Sequence, residues 1–332
     1  MVQIKKNILI YTLLSCLVYA IKGLEHQCDF NENYAAKADP ENHDIIRQCP
    51  LTPRMFDVIS IVCGSKTLNY KLYPENCFES VYDGSNTTVP KKISDVLPGA
   101  VNVVSTVDPK TGNKIVSMRV PPNSAQNKVI YCYCDYRDDA SQSRSISTTD
   151  IKNLGVVKIV VPVMPAHVNG CDFKKEESEI FTKGVNISSL AYNEVNDIVC
   201  KIDAEPNEIV GFRCPDDYEV SPPDCFVNAY NLEGKMEYIK KRIPLSSLIM
   251  DNHKKIFYSK VPTHGYGKPS FFCMCVKNNK KLIVHFNFAL STPPSYWSNY
   301  TSKLFMKSNS GYYGKTASIL IVVFFIVSYF ML

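Results

Sequence analysis

The chain has 332 residues, 45% of them hydrophobic and 21% charged, which is ordinary globular composition and enough length for two domains with real cores. Its formal charge of +5 overstates its basicity: without Lys5, Lys6, Lys22 and Lys315, which lie in segments expected to be cut away, 33 basic residues face 32 acidic ones. A surface so balanced carries no basic footprint for nucleic acid or for an anionic membrane.

Residues 1–23 open on Lys5 and Lys6, run through the apolar stretch from Ile8 to Ala20 and offer small-residue cleavage positions around Val18, Tyr19 and Ala20. This is the pattern of a secretory signal peptide, since a membrane span needs ~20 apolar residues. Export places the rest of the chain in an oxidising compartment. Of the 13 cysteines, Cys16 leaves with the leader, and the remainder fall into two sets of six. Cys28, Cys49, Cys63, Cys77, Cys132 and Cys134 form the first; Cys171, Cys200, Cys214, Cys225, Cys273 and Cys275 form the second. The gaps are 21, 14, 14, 55 and 2 in one and 29, 14, 11, 48 and 2 in the other. One module is written twice, and an even count with repeated spacing after a signal reads as a disulfide framework.

The first module is expected over 24–164. Lys114 to Val120 alternates, with Val116, Met118 and Val120 on one side, as a half-buried strand should. Tyr131-Cys132-Tyr133-Cys134 reads as a strand whose two thiols point to one face, because side chains two apart on a strand share a face. The polar run from Asp135 to Asp150 reads as a loop, and Gly155 to Val161 as a mostly buried closing strand. The second module, 165–292, repeats these landmarks: Cys171-Asp172-Phe173 matches Cys28-Asp29-Phe30, and Asp224-Cys225-Phe226 matches Asn76-Cys77-Phe78. Phe272-Cys273-Met274-Cys275 restates the paired thiols, and Leu282, Val284, Phe286, Phe288 and Leu290 alternate in the clearest strand of the chain. Only Met164 to Gly170 joins the modules, so a limited hinge is expected.

Residues 293–309 are rich in Ser, Pro, Asn and Tyr and read as a stalk. Ala317 to Leu332 is uncharged, and its sixteen residues would make a helix of roughly 24 Å, short of the ~30 Å hydrocarbon core. The reading preferred for 310–332 is a glycolipid (GPI) attachment signal, with Tyr312 to Thr316 as a spacer and Asn309, or alternatively Ser308, as the acceptor. Asn86, Asn186 and Asn299 stand in glycosylation sequons.

Six cysteines allow fifteen pairings. Strand geometry requires the two members of each Cys-x-Cys to go to different partners, and the near 14-residue spacings point to neighbouring strands facing one layer. Zinc is the main rival for clustered cysteines, but structural zinc sites favour Cys-x2-Cys knuckles or Cys/His sets; no metal and no cofactor are expected. His26, His43, His167, His253, His264 and His285 sit in no metalloprotease or nucleophile motif, and His285 is expected on the solvated face of its strand. No nucleophile elbow, phosphate-binding glycine loop or dinucleotide fingerprint is present, so no catalytic residue is named and an enzyme is not expected.

The order, spacing and flanking residues of both halves, from residue 28 to about 290, resemble the 6-Cys domain family of malaria parasite surface proteins, and in particular its two-domain, GPI-anchored merozoite surface type. The resemblance implies an all-β fold: two tandem β-sandwiches with mixed parallel and antiparallel strands, each pinned by three disulfides. It implies the pairs Cys28–Cys49, Cys63–Cys134 and Cys77–Cys132, then Cys171–Cys200, Cys214–Cys275 and Cys225–Cys273. It further implies a non-enzymatic surface antigen on the outer face of the plasma membrane, working by protein–protein recognition and holding an unanchored 6-Cys partner there as a heterodimer. The alternative is a coat component, or a binder of host ligand, without a dedicated parasite partner.

Overall fold

A computed structural model describes residues 23–30, 47–64, 71–84, 89–135, 154–185, 187, 197–243, 247–265 and 269–290. Residues 1–22 of the leader, most of the polar run after Cys134, the three sequon asparagines, the stalk and both anchor candidates lie outside the described residues.

Among the described residues the first half forms β1 (Glu25–Phe30), β2 (Arg47–Leu51), β3 (Val58–Cys63), β4 (Lys71–Tyr73), β5 (Ser80–Asp83), β6 (Lys91–Lys92), β7 (Val101–Val107), β8 (Lys114–Arg119), β9 (Lys128–Asp135) and β10 (Leu154–Val161), with one helical turn at Ile93–Val96. They make two sheets, β1-β3-β8-β7 and β2-β10-β9-β5-β6, with β4 also lying on β9. The pairs β1/β3 and β2/β10 are parallel, whereas β3/β8, β7/β8 and β9/β10 are antiparallel.

The second half repeats the plan with β11 (Val168–Asp172), β12 (Phe181–Gly184), β13 (Ile198–Ala204), β14 (Ile209–Arg213), β15 (Glu219–Ser221), β16 (Asn228–Tyr230), β17 (Met236–Tyr238), β18 (Ser247–Asp251), β19 (Ile256–Lys260), β20 (Ser270–Lys277) and β21 (Lys280–Phe288). Its sheets are β12-β11-β14-β19-β18 and β13-β21-β20-β16-β17, with β15 on β20. Strand β12 is the addition, covering the side of β11 that the matching β1 leaves open among the described residues. The protein is therefore all-β, two tandem sandwiches of mixed strands.

Alternation decides which side chains fill each core. Val116 and Met118 on β8 are fully buried, and Val120 follows them inward. On β21, Leu282, Val284, Phe286 and Phe288 enter the second core while Ile283, His285 and Asn287 stay half-exposed. That core is aromatic: Phe212 stacks on Phe257 at 5.0 Å, and Phe226 meets Phe286 at 5.0 Å, contacts that add to area burial.

Two expectations need correction. The equal spacing of Cys49 and Cys63 does not place them on neighbouring strands, since β2 and β3 belong to opposite sheets. The chain crosses the sandwich between them, so even spacing records the length of a crossing rather than adjacency. The connector is also shorter than Met164 to Gly170, because β11 has already begun at Val168.

Candidate functional site

The paired thiols of β9 and β20 are buried and each is bonded to a different segment. Cys63 on β3 meets Cys134 with Cα atoms 5.7 Å apart, and Cys77, in the turn after β4, meets Cys132 at 6.2 Å. Cys28 on β1 meets Cys49 on β2 at 6.0 Å. In the second sandwich the separations are 6.3 Å for Cys171–Cys200, 5.6 Å for Cys214–Cys275 and 6.1 Å for Cys225–Cys273. The first two bridges of each domain run from sheet to sheet, fixing the distance between layers. The third ties the Cys-x-Cys strand to the turn beside it. The frame carries no free thiol among the described residues.

What this frame positions is the junction between the sandwiches. On β19 the alternation sends Phe257 into the second core and turns Ile256 and Tyr258 toward the junction, where Val168, Ile180 and Phe181 of the same domain and Val101 of the first complete a buried cluster. Tyr258 is 1% exposed; its hydroxyl donates to the carbonyl of Gly99 at 3.2 Å, and the rings of Phe56 and Phe181 each lie 5.8 Å away. Burial pushes its phenol pKa upward, so it stays a neutral donor. Phe181 lies over Gly170 and Gly211, where an added Cβ would come within 2.5 and 2.9 Å of its ring. Glycine at both places is what lets an aromatic ring lie flat on the sheet.

Polar contacts flank the cluster. The amide of Asn102 donates to Asp251 at 2.7 Å, and the Lys254 ammonium donates to the carbonyl of Ala100 at 2.6 Å. Burial lowers the pKa of Lys254, with Asp251 opposing the shift. On the other side, Asn123 donates to the carbonyls of Ala166 and Glu179 at 3.2 and 3.0 Å, and Ser124 exchanges backbone bonds with Met164 and Pro165. The connector is thus strapped to the first domain. Beside it opens a groove of about 450 Å³, lined by Asp95, Leu97 and Lys128 from the first domain, His167 from the connector and Glu177 and Glu179 from the second. This groove is the candidate site, and both domains are needed to build it.

The profile described as "Sexual stage antigen s48/45 domain" matches residues 25–136 and again residues 168–277. The chain belongs to the 6-Cys, or s48/45-domain, family. Merozoite surface protein P12 of Plasmodium falciparum (isolate 3D7) is 40% identical over 267 residues, covering 77% of this chain and 76% of that protein. Surface protein P12p of Plasmodium berghei (strain Anka) is 26% identical over 272 residues, covering 76% and 78%. Among solved structures, Plasmodium falciparum protein Pf12p superposes with a TM-score of 0.58 at 23% identity, covering 79% of this chain and 98% of that one, which shows the shared fold. The protein is thus a P12-like surface antigen of the 6-Cys family.

Two histidines of this 6-Cys protein serve structure. Among the described residues no group of three or more His, Cys, Asp or Glu is placed to hold a metal. His26 bonds Asp57 at 2.8 Å, and Asp57 also accepts the amides of Leu24 and Arg54, a strap at the start of the first domain. His285 corrects the expectation of a solvated imidazole: it is half-buried, with Nε2 2.6 Å from the Ser270 hydroxyl. The pair looks like a nucleophile and its base, but the bonding runs the other way. Asn287 gives its amide N–H to Asp203 at 2.8 Å, which leaves its carbonyl oxygen facing Ser270 at 2.7 Å. Ser270 must donate there, so it accepts from His285, and the imidazole has no lone pair to offer the hydroxyl.

Burial, then Lys201, lower the pKa of His285 against the opposing pull of Asp203. A histidine whose folded pKa is depressed contributes stability that is intact above its unfolded value near 6.5 and is lost as pH falls toward the folded value. The midpoint of thermal unfolding should therefore drop more between pH 7 and pH 5 for the wild type than for His285→Gln. Equal drops would remove this histidine from the acid response.

Sequence reasoning missed the junction residues. The available signal was Ile256-Phe257-Tyr258, an unbroken apolar run on a strand, which means that both faces are covered.

Proposed function

We propose that this protein is a non-enzymatic recognition antigen, tethered to the outer face of the parasite plasma membrane by a glycolipid, which retains an unanchored 6-Cys protein there as a heterodimer. In this reading residues 1–23 are removed, 24–164 and 165–292 are the two domains, 293–309 is the stalk, and 310–332 is released when Asn309, or Ser308, accepts the anchor. The glycans, where present, sit on Asn86, Asn186 and Asn299. One observation supports the reading above others: similarity to a merozoite surface protein runs across both domains, and both domains are needed to line the junction groove. A groove assembled this way presents a fixed surface, so little ordering cost is added on binding.

The test is capture. An immobilised ectodomain, residues 24–308, kept under non-reducing conditions, should recover from parasite extract a protein that mass spectrometry identifies as carrying six-cysteine domains. Glu177→Lys, which reverses a charge in the groove, should lower that recovery by about tenfold. Recovery of host proteins alone, or of none, would reject the heterodimer.

A further inference from the structure

The edges of the four sheets differ in one respect. Among the described residues β1, β2, β4, β6, β12, β13, β15, β17 and β18 each carry a charged side chain. Strand β7, the outer strand of β1-β3-β8-β7, reads Val-Asn-Val-Val-Ser-Thr-Val, with no charge and no proline. Folded proteins blunt exposed edges with charge, proline or bulges because an open backbone ladder templates another strand. Its counterpart in the second domain, β18, ends on Asp251.

The open part of β7 is defined at both ends. Its register against β8 shifts between Val101 and Val104, Asn102 has φ of 53°, and the Asn102 amide is taken by Asp251. At the other end the Asp108 carboxylate is held by the Lys110 amide and the Thr111 hydroxyl of its own turn. Between them Val103 packs on the first core, while Ser105 and Thr106 are exposed, as are Val104 and Val107 at 47% and 63%. The hairpin reaches past its sandwich and leaves apolar side chains on both faces uncovered.

We propose that Val103–Val107 is an interaction edge whose occupant is the same strand of a second copy of this chain, paired antiparallel about a two-fold axis at Ser105. In that register Val103 opposes Val107, Val104 opposes Thr106 and Ser105 opposes itself. Every flanking pair is β-branched against β-branched, the combination cross-strand packing favours, and no like charges meet. Each exposed Val107 covers the partner's Val103 at the margin of its core. The ladder stops where Asn102 would oppose Asp108, both already engaged. Five paired residues span about 17 Å, so the contact is small and belongs to the weak class below ~1,200 Å². It uses a surface separate from the junction groove, so it stands or falls without the heterodimer.

Ser105→Cys, in the full chain expressed through an oxidising secretory pathway, places two thiols on the axis. Non-reducing electrophoresis should show a band of twice the chain's mass, about tenfold or more above that of Val199→Cys, an exposed position on the charged edge β13. Adding Thr106→Lys, a change at an exposed side chain that leaves the β7/β8 pairing intact, should abolish the band. A Ser105→Cys chain that stays monomeric while keeping its six native disulfides overturns the proposal. So does a mixed disulfide with a protein of another mass, which would make the occupant a different molecule. A dimer band that survives Thr106→Lys overturns it as well.

Discussion

Replacing Cys77 and Cys132 together by alanine is expected to lower the stability of the first domain by about 4 kcal/mol, the loop-closure entropy of the 55-residue loop between them. Removing Cys28 and Cys49 opens a loop of 21 residues and should cost about 3 kcal/mol on the same basis. The larger loss falls on β9, where loss of Cys132 leaves Cys134 as the strand's one covalent tie. Urea unfolding under non-reducing conditions measures both. A loss below about 1 kcal/mol for the long loop would mean that the unfolded chain is already compact there, leaving packing rather than the bridge to hold the strand.

Two strands that pair with the bridge-carrying ones, β8 on β3 and β21 on β20, were legible because each is buried on one face only. Val116 and Met118 on β8, and Leu282 to Phe288 on β21, keep a period of two that survives every neighbouring loop. The same physics hid the junction. Once Ile256, Phe257 and Tyr258 are all buried, the alternation vanishes, and a strand shared between a core and an interface reads only as an apolar run. The groove was harder still, since Asp95, Lys128, His167 and Glu177 come from distant segments that only the docked domains bring together.

Sheet membership was the other limit. Cysteine spacing fixes contour length along the chain, and contour length alone does not distinguish a crossing to the opposite sheet from a turn to the next strand. Cys49 and Cys63 took the crossing. The Ser270–His285 contact shows the converse: the residue types were visible, but the direction of the proton was set by Asp203, reached through Asn287.

Arg213→Met is expected to destabilise the second domain by about 3 kcal/mol, at the lower end of the range for breaking a buried ion pair. Arg213 donates from Nε and Nη2 to the two carboxylate oxygens of Asp172 at 2.9 and 2.5 Å, and Asp172 is completely buried. Taking away the guanidinium leaves an anion with no access to water. The cost stays at the low end because the Ser178 hydroxyl and the amide of Lys174 still donate to that carboxylate at 2.5 and 3.0 Å. The cross-strand neighbours of the two matching aspartates differ: Asp172 sits opposite Arg213 in the parallel register of β11 and β14, whereas Asp29 sits opposite Val62. The duplicated Cys-Asp-Phe motif thus keeps its aspartate in both halves, and in the second that aspartate faces Arg213 across the strand. Arg213→Met with Asp172→Asn should recover more than half of the loss, because the damage comes from the stranded charge rather than from the missing attraction. Chemical denaturation of both variants separates these terms. If the double variant were no more stable than Arg213→Met, the guanidinium would be holding β11 against β14 by packing alone.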